Sequence, residues 1–362
     1  MMTSRREKLI LISLLVALLV GLTVTYWPIV CLVFSLIAAP ILIVQLSWIV
    51  VKIVQKLTST PINPDGKAIL ITGCDSGFGH ESALHLNQFG FRVIATCMLP
   101  DGEGAKKLKQ KACKPEKMHI VGLDVTQKVD IDQVYRQVET ILSKTNDSLY
   151  GLLNNAGIFN FQAIETGTFE AMLDKIMSVN FWGTVRMTRK FLPLIRASRG
   201  RIVTITSLAS RYSKHSNGAY SCSKHAVKAF VNTCRIETAK FGVKFIEIEP
   251  GYADTPLMDN SKTLENFCQA IESTDESIRL AYRWDTKKLD RYTEKIMKTY
   301  RFLHVIFDAK NSLDKVVNTV GHSFGTSDPD DNYVVTGKIF RTLDTFGSYF
   351  TEELRSLISQ DL

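Results

Sequence analysis

Hydrophobic and polar positions divide the chain into an apolar N-terminal run and a long segment of alternating patterns. Residues 9–51 contain no charged side chain. From residue 67 onward, short and predominantly apolar runs alternate with stretches that have helical spacing. Strands buried on both faces are apolar throughout, and their alternation with helices predicts an α/β fold with a doubly wound parallel sheet.

The same pattern predicts the segment boundaries. Six strands are predicted at residues 67–72, 92–96, 119–124, 149–153, 201–206 and 243–248. Residues 52–66 are predicted to be a linker because they are rich in turn formers, and residues 67–325 to form the main domain. Residues 326–362 are expected to supply the last strand and an amphipathic tail, with apolar positions repeating from Phe340 to Ile358.

The apolar run at residues 9–51 predicts a membrane anchor. One span needs about 20 apolar residues, and Pro28 divides the run into two sufficient pieces, about 9–27 and 29–51. Tyr26 and Trp27 suit a membrane interface, and basic residues flank both ends, which favours a transmembrane hairpin with both ends in the cytosol. Two alternatives remain. One is a cleaved signal peptide, and the other is a single span that places the domain on the opposite side.

Charge and cysteine content narrow the functional classes. The net charge is +8, but the basic residues do not form a stripe interleaved with aromatic residues, so no nucleic-acid partner is predicted. The densest basic cluster, Lys106 to Lys117, is interpreted as a solvated helix face, with attraction to an anionic membrane as the alternative. Seven cysteines without a CxxC pair indicate reduced thiols facing the cytosol, and predict neither a disulfide framework nor a metal site.

A glycine-rich turn follows the first predicted strand directly. Gly73, Gly77 and Gly79 stand in the series Thr72-Gly-Cys-Asp-Ser-Gly-Phe-Gly79. Glycines there permit a tight turn and a close approach of the backbone to a pyrophosphate, while the next helix offers free N–H groups and the positive end of its dipole. The turn therefore predicts a dinucleotide site, although such a turn also occurs as a purely structural loop.

The choice of cofactor depends on the end of the second strand. A carboxylate there binds the ribose 2′-hydroxyl of NAD, whereas an arginine nearby accepts the 2′-phosphate of NADP. The sequence places Cys97 at that position, and Ser76 stands where a cation would precede Gly77. Because no cation is available for the phosphate, NAD is favoured over NADP. Asp124, at the end of the third strand, is expected to accept a hydrogen bond from the adenine amino group.

Three residues form a candidate catalytic group. Tyr220 and Lys224 are four residues apart and share one face of a helix predicted at residues 218–240. Ser207 ends the fifth strand, at the carboxyl edge of the sheet. A lysine ammonium and a positive nicotinamide ring beside the phenol favour the phenolate. Tyr220 can then remove the proton of a substrate alcohol, while Ser207 bonds the substrate oxygen and Lys224 holds the cofactor ribose.

The motifs in this order resemble the short-chain dehydrogenase/reductase family. The match covers residues 67 to about 257 and comprises Thr72-Gly73, Gly77, Gly79, Asp124, Asn154-Asn155-Ala156-Gly157, Asn180, Ser207, Tyr220, Lys224, Pro250-Gly251 and Thr255. The resemblance implies a Rossmann-like fold of about seven parallel strands and catalysis by Ser207, Tyr220 and Lys224. Asn180 is expected to hold a water that relays protons to Lys224. The residues expected to bind the cofactor are Gly73, Ser76, Gly77, Phe78, Gly79, Cys97, Asp124, Asn155, Ala156, Gly157, Tyr220, Lys224, Pro250, Gly251 and Thr255.

A closer resemblance is carried by residues 71–79 and by Gly102-Glu-Gly-Ala-Lys-Lys-Leu108. Both segments are similar to a membrane-bound branch that includes 17β-hydroxysteroid dehydrogenase type 2, 11β-hydroxysteroid dehydrogenase type 2, retinol dehydrogenases and D-β-hydroxybutyrate dehydrogenase. Most of that branch uses NAD and oxidises alcohols. The resemblance therefore implies an NAD-dependent alcohol oxidoreductase in the endoplasmic reticulum membrane, with its catalytic domain in the cytosol.

The substrate is expected to be set by a variable lid at residues 257–310. In addition, Phe159, Phe161, Tyr212 and Tyr252 are expected at the mouth of the cleft. This lining suits a flat apolar alcohol such as a steroid, a retinoid or a related lipid, although ordinary helix packing would select the same residues. Helices within residues 167–196 and 217–240 are candidates for a homodimer face, as in the family.

Three other functions compete with a lipid-alcohol dehydrogenase. One is a dehydrogenase of the 3-hydroxybutyrate type, and the second is a catalytically inactive, membrane-tethered NAD-binding protein. The third is an epimerase or dehydratase, which shares the Tyr220–Lys224 spacing but usually carries a different glycine turn. The complete set of Ser207, Tyr220 and Lys224 favours an active dehydrogenase.

Overall fold

The computed structural model describes residues 5–160, 162–167, 169–213, 216–258, 260–282 and 308–337. The chain forms two compact units, residues 1–60 and residues 61–362. The described part of the first unit is dominated by one helix, and the second contains the sheet and the helices that cover it.

The N-terminal unit is built on a single long helix. α1 runs unbroken over Arg5–Thr58, and its large apolar side chains are exposed, from Leu14 at 63% to Leu57 at 80%. Within it, Cys31–Thr58 is long and apolar enough to cross a membrane, by length and composition. An apolar surface of this extent marks a site for contact with a membrane or a partner.

The predicted hairpin differs from the structure. No turn interrupts α1 at Pro28, and residues 52–58, predicted as linker, continue the helix. Proline removes one backbone hydrogen bond and crowds the preceding turn, but no glycine or polar turn former stands beside Pro28 to reverse the chain. The helix ends at Thr58, where a series of turn formers begins.

The second unit alternates strands and helices as predicted. Its strands are β1 Lys67–Ile71, β2 Arg92–Cys97, β3 Met118–Gly122, β4 Ser148–Asn154, β5 Arg201–Ile205, β6 Lys244–Pro250 and β7 Asn332–Val335. Its described helices are α2 Gly77–Phe89, α3 Glu103–Lys111, α4 Lys128–Thr145, α5 Phe169–Ile176, α6 Thr184–Ala197, α7 Gly218–Thr238, α8 Asn260–Glu272, α9 Glu276–Tyr282 and α10 Ala309–Gly325. The strands form one sheet in the order β3-β2-β1-β4-β5-β6-β7, and every pairing is parallel. The predicted α/β fold with a seven-stranded parallel sheet is confirmed.

Two apolar layers cover the sheet. Side chains alternate between the faces of a strand, so Ile69 and Ile71 of β1 lie in the layer formed with α2 and α10. Ala68 and Leu70 lie in the opposite layer, with α4, α6 and α7. Each buried leucine or isoleucine contributes about 1.5–3 kcal/mol. Helices on both faces explain why the predicted strands are predominantly apolar.

The order of the strands positions a binding crevice. The chain passes from β1 outward to β2 and β3, and then returns to place β4 on the other side of β1. In open α/β sheets, ligands bind outside the carboxyl ends of the strands at such a reversal. The residues that follow β1, β4 and β5 therefore meet at one edge of the sheet.

The predicted lid is described in part. α8 and α9 fall within residues 257–310, and Phe267 and Ile271 of α8 are buried. Residues 283–307, which include Trp284, lie outside the described residues, as does the amphipathic tail from Phe340 to Ile358.

Candidate active site

The glycine turn between β1 and α2 is tightly packed. Gly73 and Gly77 have positive φ angles of 71° and 62°, which glycine adopts without strain. A Cβ atom built on Gly73 would lie 2.9 Å from Ala156 Cα, and one built on Gly79 would lie 2.3 Å from the Gly73 carbonyl oxygen. The turn therefore needs glycine at Gly79 because no side chain fits there.

The segment after β4 holds this turn in place. Thr72 Oγ1 accepts the backbone N–H groups of Asn155 and Ala156, both at 3.0 Å. Asn155 Nδ2 donates to the carbonyl oxygens of Thr72 and Gly73, both at 2.9 Å. The Asn154–Gly157 motif thus joins the ends of β1 and β4.

The first turn of α2 faces the segment that follows β6. A Cβ atom on Gly77 would lie 3.7 Å from Thr255 Cβ, so Thr255 lies across from the glycine turn. Gly251 N–H donates to the Val335 carbonyl at 2.8 Å, which fixes the start of that segment to β7. Ser76 makes no side-chain cap on α2. The N-terminal N–H groups of a helix are suited to binding an anion.

Ser207, Tyr220 and Lys224 come together at the carboxyl end of β5. Ser207 follows β5, and its side chain hydrogen bonds with Tyr220 of α7. Lys224 lies one turn further along α7 and donates from Nζ to the Ile205 carbonyl at 3.1 Å. Its Nζ atom is 5.6 Å from the centre of the Tyr220 ring. The three residues thus form one polar group, in which Lys224 is buried and Ser207 and Tyr220 are half-buried.

Burial controls the ionisation of this group. Burial raises the pKa of Tyr220 to about 12, although the hydrogen bond with Ser207 acts in the opposite direction. Burial lowers the pKa of Lys224 to about 8, against the attraction of Glu247, which raises it. Tyr220 is therefore a phenol at neutral pH in the chain alone. Desolvation outweighs the contact with Ser207. The expected phenolate therefore needs a positive charge in the cleft in addition to that of Lys224.

Asn180 lies in a π-helical turn, Met177–Gly183, between α5 and α6. Its Oδ1 atom accepts Ile158 N–H at 2.8 Å, and its Nδ2 atom donates to the Ile158 carbonyl and to Ser223 Oγ, both at 3.0 Å. A Cβ atom on Gly157 would lie 3.4 Å from Asn180 Oδ1 and 3.8 Å from Lys224 Nζ. Asn180 is thus close to Lys224, and its side chain fixes the backbone after β4. Its water-relay role stays a prediction.

The end of β2 differs from the expectation. Cys97 is fully buried in the apolar layer with Cys74, and burial together with the Asp75 charge raises the pKa of Cys97 to about 12. Its thiol therefore does not present a polar group to a ribose. The reason is strand parity, because Cys97 points to the same face as the core residues Val93 and Ala95.

Asp75 is the residue that the sequence reasoning missed at this end of the sheet. Its two carboxylate oxygens accept the backbone N–H groups of Met98 and Leu99 at 2.9 and 3.1 Å. A carboxylate thus stands at the end of β2 although it comes from the glycine turn. The sequence feature that could have indicated this carboxylate is an aspartate inside the glycine turn.

Asp124 follows β3 and makes a local turn. Its Oδ1 atom accepts both the backbone N–H and the hydroxyl of Thr126 at 2.8 Å. Asp124 N–H in turn donates to Asp130 at 3.1 Å. These contacts hold the loop after β3, and the predicted contact with an adenine amino group remains a prediction.

The predicted pocket residues are placed unequally. Phe159 packs edge-on against Tyr220, with ring centres 5.1 Å apart, so it borders the candidate catalytic group. Tyr212 and Tyr252 are half-buried and follow β5 and β6, whereas Phe161 lies outside the described residues.

The lid contacts the segment after β4. Gly167 N–H donates to Thr274 Oγ1 at 2.9 Å, and the Tyr282 hydroxyl hydrogen bonds with Glu165. Phe267 and Ile271 are buried and serve packing, whereas Leu280 is 68% exposed.

Comparisons with known proteins agree with this geometry. The model of the short chain dehydrogenase family matches residues 67–266. The chain is 32% identical to rat D-beta-hydroxybutyrate dehydrogenase over 278 residues, which cover 76% of this chain and 78% of the relative. It is 32% identical to mouse retinol dehydrogenase 5, covering 81% and 87%, and 36% identical to rat estradiol 17-beta-dehydrogenase 2, covering 57% and 53%.

A solved structure extends the likeness to the fold. A short-chain dehydrogenase from Streptomyces avermitilis superposes with a TM-score of 0.59 and 26% identity, covering 82% of this chain and 98% of that chain. The family model alone spans more than half of the sequence. The sheet, the glycine turn and the grouped serine, tyrosine and lysine therefore have one explanation: the chain belongs to the short-chain dehydrogenases, a family of oxidoreductases.

Proposed function

We propose that this dehydrogenase interconverts a hydrophobic alcohol and its ketone or aldehyde, with Tyr220 as the acid and base and NAD as the cofactor. The observation that carries the proposal is the grouping of Ser207, Tyr220 and Lys224 at the carboxyl end of β5. A phenol and an ammonium at this edge of the sheet form a proton-transfer site.

The side chains divide the chemistry among them. A nicotinamide cofactor held at the glycine turn would supply the hydride exchange with the substrate carbon. Ser207 donates a hydrogen bond to the substrate oxygen, and Tyr220 takes the hydroxyl proton during oxidation or returns it during reduction. The Lys224 ammonium favours the phenolate form of Tyr220, because an opposite charge nearby lowers a phenol's pKa.

The structure fits a dinucleotide at the glycine turn. A Cβ atom on Gly77 would lie no closer than 3.7 Å to any neighbour, the nearest being Thr255. A Cβ atom on Gly79 would instead clash with backbone. The backbone at Gly77 is thus open to the cleft at the start of α2. Asp75 supports NAD over NADP, because a carboxylate at the end of β2 suits a ribose hydroxyl and repels a phosphate.

An apolar alcohol is the proposed substrate. Phe159 borders Tyr220, and the exposed apolar surface of α1 would hold the enzyme where lipids concentrate. Related proteins are named for estradiol and retinol, both flat apolar alcohols. A steroid, a retinoid or a related lipid therefore fits the site better than a small hydroxy acid.

A substrate panel tests this proposal. Membranes containing the full chain are incubated with a 17β-hydroxysteroid, a retinol or 3-hydroxybutyrate, each with NAD and with NADP. We expect oxidation of a lipid alcohol, with kcat/KM higher for NAD by about tenfold or more, because like charges brought together cost several kcal/mol. Membranes with the Tyr220→Phe variant are the control. Failure to oxidise any alcohol would favour an inactive NAD-binding protein.

A 3-hydroxybutyrate-type dehydrogenase is the second candidate. The similarity to D-beta-hydroxybutyrate dehydrogenase over three quarters of the chain favours it. In the same panel, faster oxidation of 3-hydroxybutyrate than of any lipid alcohol would select this candidate.

We also propose attachment to the endoplasmic reticulum membrane with the catalytic domain in the cytosol. The apolar span Cys31–Thr58 supports attachment, and the seven cysteines, all within the described residues, form no disulfide, as is usual in a reducing compartment. Protease added to intact microsomes should digest the catalytic domain, while a lumenal marker protein stays protected. Protection of the domain until detergent is added would place it in the lumen.

A further inference from the structure

We propose that Glu247 is a positioning residue, a buried carboxylate on β6 that keeps Lys224 in its charged form. The inference rests on the proposed function, since it assigns to Lys224 the role of favouring the Tyr220 phenolate. It adds a residue outside the motif series, on a strand that was expected to be apolar.

Two glutamates face α7 from β6. Glu247 and Glu249 are two residues apart and share one face of the strand, and they are 1% and 0% exposed. Above them, Tyr220, Lys224 and Lys228 follow one another at four-residue intervals along one face of α7. The two lysines of this row therefore lie on the helix that covers the buried carboxylates, and Lys228 pairs with Glu249. Buried carboxylates are rare unless they are paired.

Glu249 is satisfied by partners of its own. Lys228 Nζ donates to it at 2.9 Å, Arg211 Nη2 at 2.9 Å and Asn332 Nδ2 at 2.7 Å. These contacts join α7, the loop after β5 and β7 at one point. They hold the pKa of Glu249 below its ordinary value in spite of burial. Glu249 is thus a structural centre one step removed from the catalytic group.

Unlike Glu249, Glu247 of β6 contacts the end of β5. Its Oε1 atom accepts the Thr206 hydroxyl at 2.8 Å. Thr206 stands between Ile205 and Ser207. The Ile205 carbonyl accepts a hydrogen bond from Lys224 Nζ at 3.1 Å. Lys224 and Glu247 therefore contact adjacent residues, Lys224 the Ile205 carbonyl and Glu247 the Thr206 hydroxyl. The Thr206 hydroxyl fixes the direction of the carboxylate.

The charged and titratable groups near Lys224 lie on three elements. Glu247 and Glu249 lie on β6, Tyr220 and Lys228 flank Lys224 on α7, and Arg211 of the loop after β5 pairs with Glu249. Arg235, near the end of α7, also acts on Glu247. Among these groups, Glu247 is the one whose attraction raises the pKa of Lys224, against burial, which lowers it.

The consequence is a defined pH window. Burial and the neighbouring Glu249 raise the pKa of Glu247, while Lys228, Arg235 and the Thr206 hydroxyl favour its ionised form. With the carboxylate present, Lys224 keeps its proton up to a pKa of about 8. Without it, Lys224 would lose its proton at lower pH, because burial would then act alone. The alkaline limb of activity would move in the same direction.

The test compares Glu247→Gln with the matched variant Glu249→Gln. The pH profile of kcat/KM is measured with the full chain in membranes and the best alcohol of the panel. We expect the alkaline limb of Glu247→Gln to move down by about one pH unit, the size of a nearby-charge effect. Glu249→Gln should lower thermal stability without moving the alkaline limb. Glu247→Asp keeps the charge and should return the alkaline limb to its wild-type position.

Two further measurements keep the outcome clear. Thr206→Val removes the hydroxyl that orients Glu247 and should move the limb the same way, so it serves if Glu247→Gln does not fold. The pH dependence of NADH binding, followed by fluorescence, should shift equally and needs no substrate. If the wild-type chain oxidises no alcohol, the proposed function fails while this binding experiment still decides the inference. An unmoved limb and binding curve in Glu247→Gln, or an equal shift in Glu249→Gln, would overturn it.

Discussion

Replacing Tyr220 with phenylalanine should reduce turnover by about 10²–10⁴-fold, the usual contribution of a positioned acid or base. Phenylalanine keeps the ring that packs against Phe159 at 5.1 Å, so the cleft should keep its shape. Only the hydroxyl that bonds Ser207 is lost. NADH binding, followed by fluorescence titration, should therefore stay within a few-fold of the wild-type value while kcat falls.

Tyr150→Phe is the matched control for this experiment. Tyr150 lies in β4, and its buried hydroxyl has no hydrogen-bond partner among the described residues. Removing that hydroxyl should leave kcat unchanged, and stability unchanged or slightly higher, because an unsatisfied buried polar group costs free energy. Full activity in Tyr220→Phe would sink the mechanism. Equal losses in both variants would point to a general effect of removing a buried hydroxyl.

Local spacing predicted the central parts of the site well. The four-residue interval of Tyr220 and Lys224 needed only a helix, and α7 supplies it. Ser207 was predicted from its place after an apolar run, and a parallel sheet brings the ends of its strands to one edge. In both cases the period of the secondary structure fixes the position of the side chain.

The sequence did not predict features that depend on which face of a strand a side chain occupies, or on contacts between distant segments. Cys97 ends its strand, but strand parity turns it into the core, and Asp75 reaches the same place from another segment. The glutamates of β6 appeared as polar interruptions of an apolar run. Their partners Thr206 and Lys228 come from other elements, and sequence spacing does not show which elements will meet.

The N-terminal helix α1 shows a different limit of prediction from sequence. Pro28 and the flanking charges predicted a hairpin, whereas α1 continues through Pro28. A proline disfavours a helix by about 3 kcal/mol, but a turn must also supply partners for the backbone groups that the helix satisfies. The residues beside Pro28, Trp27 and Ile29, are not turn formers, so the helix continues. A proline alone was therefore insufficient to predict a turn.

Replacing Gly79 with alanine should abolish cofactor binding or folding of the domain. A Cβ atom there would lie 2.3 Å from the Gly73 carbonyl oxygen and 2.4 Å from Asn155 Nδ2. Both neighbours are held, because Asn155 Nδ2 bonds the carbonyl oxygens of Thr72 and Gly73. The methyl group must therefore break these hydrogen bonds or move α2 away from β1. We expect NADH affinity to fall by about 10²-fold or more, since overpacking costs about 1–3 kcal/mol and each lost hydrogen bond adds to that.

Gly325→Ala separates this effect from the general cost of replacing glycine. Gly325 is the last residue of α10, and a Cβ atom there would meet nothing within 4 Å. Alanine at that position should leave NADH binding unchanged, and stability unchanged or higher, because alanine restricts the unfolded chain more than glycine does. NADH titration and thermal unfolding of both variants give the comparison. Normal affinity in Gly79→Ala would show that the turn can open by the width of a methyl group, and that its close packing is not what holds the cofactor.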